Sequence, residues 1–543
     1  MTMIGADAMV KCLEAEGVTA VFGYPGVAIC PFFNSILESD IRTVLIRTEQ
    51  NAAHAASGMA RMTGRPGVCA VTSGPGATNV ITGIATAFAD SIPLVCITGQ
   101  VNSELLGSDV FQEADITGAV ESFVKYSYLV KNVNDIPRIF KEAFYIANTG
   151  RKGPVLIDIP IDVQNAVISK FKYPEEVSMR TYKPTVHGHI MQIKKVMKEL
   201  QKAKRPIICA GGGVLLSGAE KELQAFAEKY QIPVVSTMMG IGVMPTEHPM
   251  YYGMVGNNGK PYANRGMNEA DLIIMVGARV ADRAISQPDL VIGNSVLVHI
   301  DVDSAEIGKN AIPTVPLVGD AKHIFEDIAK EDLKPEDCEH QSWIDTMNSY
   351  RDTMGVKRKP NPDYVDPAAF ITMLSEKMQE NGVYVADVGQ NQIWSCAYHI
   401  VRKGKFMTSG GMGTMGYSIP AAMGAKLASP DRQVIAVCGD GSFQMSMMEL
   451  ATMRQHNIPV KIIVLKNNYL GMVREYQHYT YKDHYSVVDL SGSPDLEKLA
   501  AAYGMPFIRL QTNEGMGEAL DAFLAKDESM LMECLIDPMD LVK

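Results

Sequence analysis

The feature that most constrains this chain is a rhythm. Short runs rich in β-branched and apolar residues alternate with helical patterns from end to end: TAVFG, GVCAVTS, PLVCITG, GPVLIDIP, RPIICAGGG, LIIMVGA, VLVHIDVD, VIAVCGDG and VKIIVLKNN. Runs that are apolar on both faces suit strands covered on both sides, as parallel strands are. The helical stretches between them give β-α-β units, so the expected fold class is α/β, built of doubly wound parallel-sheet domains.

Two polar stretches without a clear period, 166–188 and 333–366, read as linkers. The second closes on RKPNPDYVDP, where three prolines break any helix. Cutting there leaves units at 1–165, 189–332 and 367–543. A chain of 543 residues has room for two to four domains. The three units show no close sequence repeat, but their matching lengths point to a repeated architecture.

Composition excludes several function classes. Asp and Glu number 61 against 50 Lys and Arg, a net charge of −11 without long basic runs, which argues against a broad nucleic-acid surface. No apolar run reaches the ~18 residues of a membrane span. The opening MTMIGADAMVKCLEAEGV lacks a basic stretch before an apolar core, so it reads as an amphipathic helix rather than a signal peptide. None of the nine cysteines forms Cys-x-x-Cys, and Cys69, Cys96, Cys209 and Cys438 sit in apolar strands. Buried, reduced thiols in a cytoplasmic protein are the expectation.

The strongest chemical signal lies in the third unit. The strand QVIAVCG ends in Gly439-Asp440-Gly441-Ser442, a helical stretch MSMMELATMRQHN follows, and the strand KIIVLK ends in Asn467-Asn468. Both motifs fall at the carboxyl ends of strands, where open α/β sheets bind ligands. Asp440 and Asn467 supply oxygens suited to Mg²⁺ or Ca²⁺. The glycines admit an anion to backbone N–H groups, and a helix start adds positive potential. Singly, each motif also reads as a tight turn. Jointly, Gly-Asp-Gly, 25 residues, then Asn-Asn matches the signature of thiamine diphosphate enzymes. Across nearly its whole length the chain resembles the catalytic subunit of the acetohydroxyacid (acetolactate) synthases.

That resemblance implies Mg²⁺ held by Asp440, Asn467 and the Tyr469 carbonyl. It implies cofactor contacts at Pro25, Gly26, Thr72, Gly76, Asn79, Gly389, Gln390, Gly413, Met415, Gly439, Gly441, Ser442, Gly471 and Met472. Gly413 falls to the cofactor's amino group, and Met415 to the apolar wedge that folds its rings together. Thiamine diphosphate works through a carbanion at C2, and a carboxylic acid against its pyrimidine promotes C2 deprotonation. A buried Glu suits that role, since burial favours the protonated form. Glu49, in RTEQNAAHAASGMAR, closely resembles the family's activating glutamate; by position alone it is an acid stabilised by a helix dipole. The family places this glutamate and the metal site of one cofactor on different chains. A homodimer or homotetramer is therefore implied, with a small regulatory subunit as a further partner.

In the middle unit, Gly211-Gly212-Gly213 follows a strand as a dinucleotide-binding turn would, although alone it is an ordinary turn. TMMGIG, GMVGNNG, GARVADR and HIDVD resemble the family's flavin-contacting stretches. They imply structural FAD with contacts at Gly211, Gly212, Gly213, Thr237, Met238, Gly277, Arg279, Asp301 and Asp320. Phe111 and Gln112 match the family's catalytic Phe-Gln pair. Arg283 falls where an arginine selects the second 2-oxo acid through two parallel bonds, or is a solvated charge. Four pocket positions depart from the family: Tyr476 replaces Trp, Ile161 replaces Lys, Val27 replaces Gly and Asn391 replaces His. The implied reaction is decarboxylation of pyruvate and ligation to a second 2-oxo acid, giving 2-acetolactate or 2-aceto-2-hydroxybutyrate in branched-chain amino acid biosynthesis. A 2-oxo acid decarboxylase with another acceptor, or a pyruvate oxidase-like flavoenzyme, stays open.

Overall fold

The structure is a computed structural model and describes residues 3–293, 295–355 and 358–542. The first sheet takes β1 Ala20–Tyr24, β2 Arg42–Leu45, β3 Gly67–Val71, β4 Leu94–Gln100, β5 Tyr126–Leu129 and β6 Pro154–Pro160, in the order β2-β1-β3-β4-β6-β5. The second takes β7 Pro206–Ala210, β8 Val234–Ser236, β9 Tyr251–Met254, β10 Leu272–Val276, β11 Val296–Asp301 and β12 Val315–Val318, in the order β12-β11-β10-β7-β8-β9. The third takes β13 Val383–Ala386, β14 Lys405–Met407, β15 Val434–Gly439, β16 Lys461–Lys466, β17 Phe507–Leu510 and β18 Met530–Leu535, in the order β14-β13-β15-β16-β18-β17. Neighbouring strands run parallel, as in β3–β4, β7–β10 and β15–β16. The apolar runs explain why: β3, β4, β6, β7 and β10 are buried at every position, which requires helices on both faces.

The first and third sheets share one topology, since β14-β13-β15-β16-β18-β17 repeats the first order twelve strands later. The middle sheet, read from β9, runs 3-2-1-4-5-6 in its own numbering, the order of dinucleotide-binding domains. The twin sheets meet through one helix from each, Glu49–Thr63 and Ser418–Ala428. A Cβ on Gly58 would fall 1.9 Å from the Ala421 carbonyl oxygen, and one on Gly424 would fall 1.8 Å from that of Ala55. Only glycine permits so close a crossing. The pairing of Gly58 with Ala421 and of Ala55 with Gly424 makes it antiparallel.

Two local readings need correction. Residues 333–366 do not form a plain linker, because Gln341–Thr353 is a helix. Trp343 Nε1 donates to the Pro206 carbonyl (2.9 Å), and Trp343, Ile344 and Met347 are buried. Its three buried apolar residues pack against the middle sheet, whereas the three prolines of RKPNPDYVDP begin only at Pro360, beyond the helix. The stretch after Gly439 is two helices, Asp440–Ser446 and Glu449–His456, rather than one. The first begins at Asp440 itself.

Candidate active site

In the first sheet, β1 and β3 are neighbours whose connections leave in opposite directions, so a crevice opens at their carboxyl ends. Pro25 and Gly26 follow β1, and the loop from Thr72 follows β3. Glu49 begins the helix after β2 and is 9% exposed. Its Oε2 accepts from Asn79 Nδ2 at 3.1 Å. Gly76 lies against the other oxygen, where a Cβ would come 3.5 Å from Oε1. The Thr72 side chain fills the space beside Gly26 and Gly76, and its buried Oγ1 has no hydrogen-bond partner. An orphaned hydroxyl and a buried carboxyl facing one crevice suit a small heteroaromatic ring bearing donors and acceptors.

Sequence reasoning missed the brace behind Glu49. Glu449, fully buried, accepts from Arg47 N (3.1 Å), Asn51 Nδ2 (2.9 Å) and Thr452 Oγ1 (2.6 Å). Burial pushes its carboxyl above the usual range, against the pull of these donors. It lies inside the apolar run MSMMELATM, where it read as one polar letter in a helix.

The third sheet repeats the crevice between β13 and β15. Gly389 and Gln390 follow β13, Asp440 follows β15, and Asn467, Asn468 and Tyr469 follow β16. Asp440 Oδ2 accepts from Asn468 N (2.7 Å), and Asn467 Oδ1 accepts from Tyr469 N (2.9 Å). Asn468 takes a left-handed φ of +59° to make this turn. Burial raises the Asp440 carboxyl to about 6. An all-oxygen set with one buried carboxylate fits a hard divalent cation. Among the described residues no three His, Cys, Asp or Glu cluster as a metal cage, so a cation here would rely on amide and backbone oxygens. Ser442 Oγ closes the turn on Gly439 N (3.1 Å). Met415 reaches over it, with Cε 3.5 Å from where a Gly441 Cβ would lie.

A cavity of about 670 Å³ runs from the middle sheet's switch point to the third sheet. Gly212, Gly213, Thr237, Met238, Gly277, Arg279, Asp301 and Asp320 line it, and so do Gly389, Gly413 and Met472. Gly211 is not in the lining: a Cβ there would lie 2.2 Å from the Gly277 carbonyl oxygen, so it interlocks two loops. Asp320 caps the helix Ala321–Ile328 through Lys322 N (3.0 Å), and burial raises the Asp301 carboxyl to about 6. Arg279 Nη2 donates to the Ala89 carbonyl (2.9 Å), tying the cleft to the first sheet. Size, strand order and glycine-lined turns fit a dinucleotide.

The residues expected at the substrate pocket are dispersed in the single chain. Phe111 is 86% exposed, and Gln112 packs over Gly74 with φ +60°. Tyr476 is 60% exposed on the helix Gly471–Tyr481, and Val27 is 77% exposed. Arg283 is exposed at the rim of the cleft, and Ile161 is half-buried at a helix start. Asn391 is 3% exposed, and its Nδ2 donates to the carbonyls of Asp387 (2.8 Å) and Val437 (3.2 Å). Its Nδ2 ties the two strands together, while its Oδ1 lies beside Gly389 and Gly439 at the turns of the crevice.

Within one chain the two crevices do not meet. The antiparallel crossing places Glu49 about nine residues before Gly58, and Met415 beyond the other end of the helix pair. At 1.5 Å per helical residue they lie on the order of 20–25 Å apart.

Over residues 3–119 the chain matches the N-terminal TPP binding domain of thiamine pyrophosphate enzymes, over 193–328 their central domain, and over 387–534 their C-terminal TPP binding domain. It is 42% identical to a probable acetolactate synthase large subunit of Methanocaldococcus jannaschii, across 99% of this chain and 93% of that protein. Identity to the acetolactate synthase large subunit of Haemophilus influenzae is 40%, over 99% and 95% of the two chains. For that of Lactococcus lactis subsp. lactis it is 39%, over 99% and 93%. The crevices, the strand orders and these matches agree, and the chain belongs to the thiamine pyrophosphate enzyme family, among the acetolactate synthase large subunits.

Proposed function

We propose that this enzyme decarboxylates pyruvate and joins the two-carbon fragment to a second 2-oxo acid, giving 2-acetolactate or 2-aceto-2-hydroxybutyrate for branched-chain amino acid synthesis. The observation that carries this reading is the pair of equivalent crevices, one holding a buried carboxyl and an orphaned hydroxyl, the other an all-oxygen cation site. Thiamine diphosphate, when bound, would supply a nucleophilic carbon and an electron sink for decarboxylation of a 2-oxo acid. Asp440, Asn467 and the Tyr469 carbonyl would hold Mg²⁺, and Met415 with Gly413 would support the cofactor's rings. Glu49 exchanges a proton at a carboxyl oxygen, while Asn79 fixes Oε2 and Glu449 braces the helix start. Thr72 Oγ1 offers the unspent hydrogen bond to the same end of the cofactor.

The separation of Glu49 from Met415 in one chain supports a dimer in which each complete site takes one crevice from each copy. Phe111, exposed in the single chain, then faces the partner copy's crevice, where Gln112 also serves. FAD occupies the cleft of the middle sheet in a structural role, since this carboligation transfers no net electrons. Arg283 and Tyr476 meet the acceptor. The relatives are named large subunits, which supports a small regulatory partner for this chain. A cytoplasmic location is supported by nine cysteines that are all unpaired. Among the described residues no helix is long and apolar enough to cross a membrane.

The test is product analysis with pyruvate, thiamine diphosphate and Mg²⁺, together with the absorbance of the purified protein. Acetolactate formation by a yellow protein, without an electron acceptor, is expected. Acetaldehyde as the sole product would identify a decarboxylase instead. Bleaching of the flavin by pyruvate would identify an oxidase.

A further inference from the structure

Next to the cation site lies a buried carboxylate that the proposed reaction does not use. Glu475, 4% exposed, sits one turn into the helix Gly471–Tyr481. Its Oε2 accepts from Gln390 Nε2 at 2.8 Å and from the backbone N–H of Val542 at 3.0 Å. The second hydrogen on Gln390 Nε2 goes to the Asp540 carbonyl at 3.2 Å. Both donors of that amide are therefore spent, and its Oε1 is left to accept. It accepts from Asn467 Nδ2 at 3.3 Å. Gly471 leaves no room for anything else there, because a Cβ would lie 2.0 Å from Gln390 Oε1.

We propose that Glu475 is a positioning residue for the cation: acting through Gln390, it fixes which atom of the Asn467 amide faces the metal. This rests on the assignment of Asp440 and Asn467 as ligands made above. The physical reason is polarity. A primary amide presents an acceptor at one end and a donor at the other, and it packs almost equally well either way round. Glu475 Oε2 accepts from two N–H groups here, so it permits a single orientation of Gln390. That orientation presents an oxygen to Asn467, which must answer with Nδ2. Asn467 Oδ1 is then turned toward Tyr469 N (2.9 Å), away from Gln390, where it can ligate. Turned the other way, Asn467 would aim N–H groups at a cation, with no lone pair to offer. The tail residues Asp540 and Val542 complete the lock, and Arg358 holds the tail by pairing with Asp540 and with Asp366 (2.6 Å).

A glutamine at position 475 can donate as well as accept, so the strongest demand for a donor from Gln390 is lost and only the Asp540 carbonyl (3.2 Å) and the Val542 N–H (3.0 Å) still favour the register. Outer partners of this kind typically change metal affinity by about 10–100-fold. The experiment titrates Mn²⁺ into metal-free protein saturated with thiamine diphosphate and counts free Mn²⁺ by electron paramagnetic resonance. It compares the parent with Glu475→Gln, Gln390→Leu, the double variant and Asp440→Ala. Melting temperatures of the metal-free forms show which variants fold, and either single variant carries the test alone. The expected result is that each single variant weakens Mn²⁺ binding about 10–100-fold, and that the double variant is no weaker than the weaker single. Such non-additivity marks two residues acting through one contact. Binding within twofold of the parent in a folded single variant, while Asp440→Ala abolishes it, would overturn the role of Glu475 and leave the ligand assignment standing. Multiplied losses in the double variant would overturn the route through Gln390. Undiminished binding by Asp440→Ala would overturn the ligand assignment and this inference with it.

Discussion

The first and third sheets are the same frame put to two uses. Both run 2-1-3-4-6-5 in their own numbering, and both open a crevice at the same switch point. The loops around the first crevice carry Glu49, Thr72 and Asn79, a set that suits a neutral ring with its own donors and acceptors. The loops around the third carry Asp440, Asn467 and the start of the helix Asp440–Ser446, a set that suits a cation and a diphosphate. The frame fixes where a ligand binds, and a few loop residues fix what kind. A second contrast lies inside the sheets. β6 and β18 occupy the same place, and each buries a carboxylate there. Asp158 is held by neutral donors, Thr98 Oγ1 (2.7 Å) and Gln100 Nε2 (3.0 Å). Glu533 sits between two cations, Lys466 (2.9 Å) and Arg509 (2.5 Å). Burial in the first setting pushes the Asp158 carboxyl up to about 7.

Substitutions should break this comparison by very different amounts. Asp440→Ala removes the single carboxylate of the cation crevice. Activity should fall to the detection limit and metal-dependent retention of thiamine diphosphate should vanish, as equilibrium dialysis would show. Full activity after chelation would contradict the assignment. Glu49→Gln strikes the other crevice and should leave the cofactor bound while slowing hydrogen–deuterium exchange at C2 by ~10²–10⁴-fold, the usual range for a lost acid–base group. An unchanged exchange rate by NMR would remove Glu49 from the reaction.

Asp158 sharpens the contrast between the buried acids. Its carboxyl titrates near 7 when folded and near ~3.9 when unfolded. Below the lower value both states are protonated and nothing is lost. As pH rises toward 7 the unfolded chain gives up the proton first, so stability declines, by as much as about 4 kcal/mol. Asp158→Asn should remove that decline, so the gap between variant and parent in denaturant midpoint should widen from pH 5 to pH 8. A gap that stays constant would show that Asp158 is not the titrating group.

The smallest effect concerns the acceptor. Tyr476→Trp adds aromatic surface near a substrate that differs by one methylene, a difference worth ~1–3 kcal/mol at most. The ratio of 2-aceto-2-hydroxybutyrate to acetolactate, with both 2-oxo acids present, should rise. An unchanged ratio would mean that the exposed Tyr476 does not meet the acceptor.

The frame was legible in the sequence because its central strands are buried on both faces. GVCAV and VIAVCG announce themselves by the absence of polar letters. Edge strands such as β5, β14 and β17 did not, since one side of each is unpaired and the runs YSYL, KFM and FIRL mix polar and apolar residues. Asp440, Asn467 and Glu49 were legible because each follows such a run at its carboxyl end or opens the next helix. Glu449 and Glu475 were not, because each is a buried acid inside a helical pattern and only its hydrogen-bond partners reveal its use. For Asn391 the Gly-Gln-Asn run gave the place but not the contacts: that its Nδ2 binds the carbonyls of Asp387 and Val437 shows only in the structure. The helix Gln341–Thr353 stayed hidden because its three buried residues are too few to set a period amid charge.

The central claim is that a complete site takes its ring crevice from one copy and its cation crevice from another. Co-expression of Glu49→Gln with Asp440→Ala tests it most directly. Each variant alone has both sites spoiled. In a mixed dimer one site receives both lesions and the other receives none. If the claim is right, isolated mixed dimers should recover about half the parent's activity per dimer, while each pure variant stays inactive. If both crevices of one site belonged to one chain, every site in the mixture would carry a lesion, and mixed dimers as inactive as the pure variants would contradict the account.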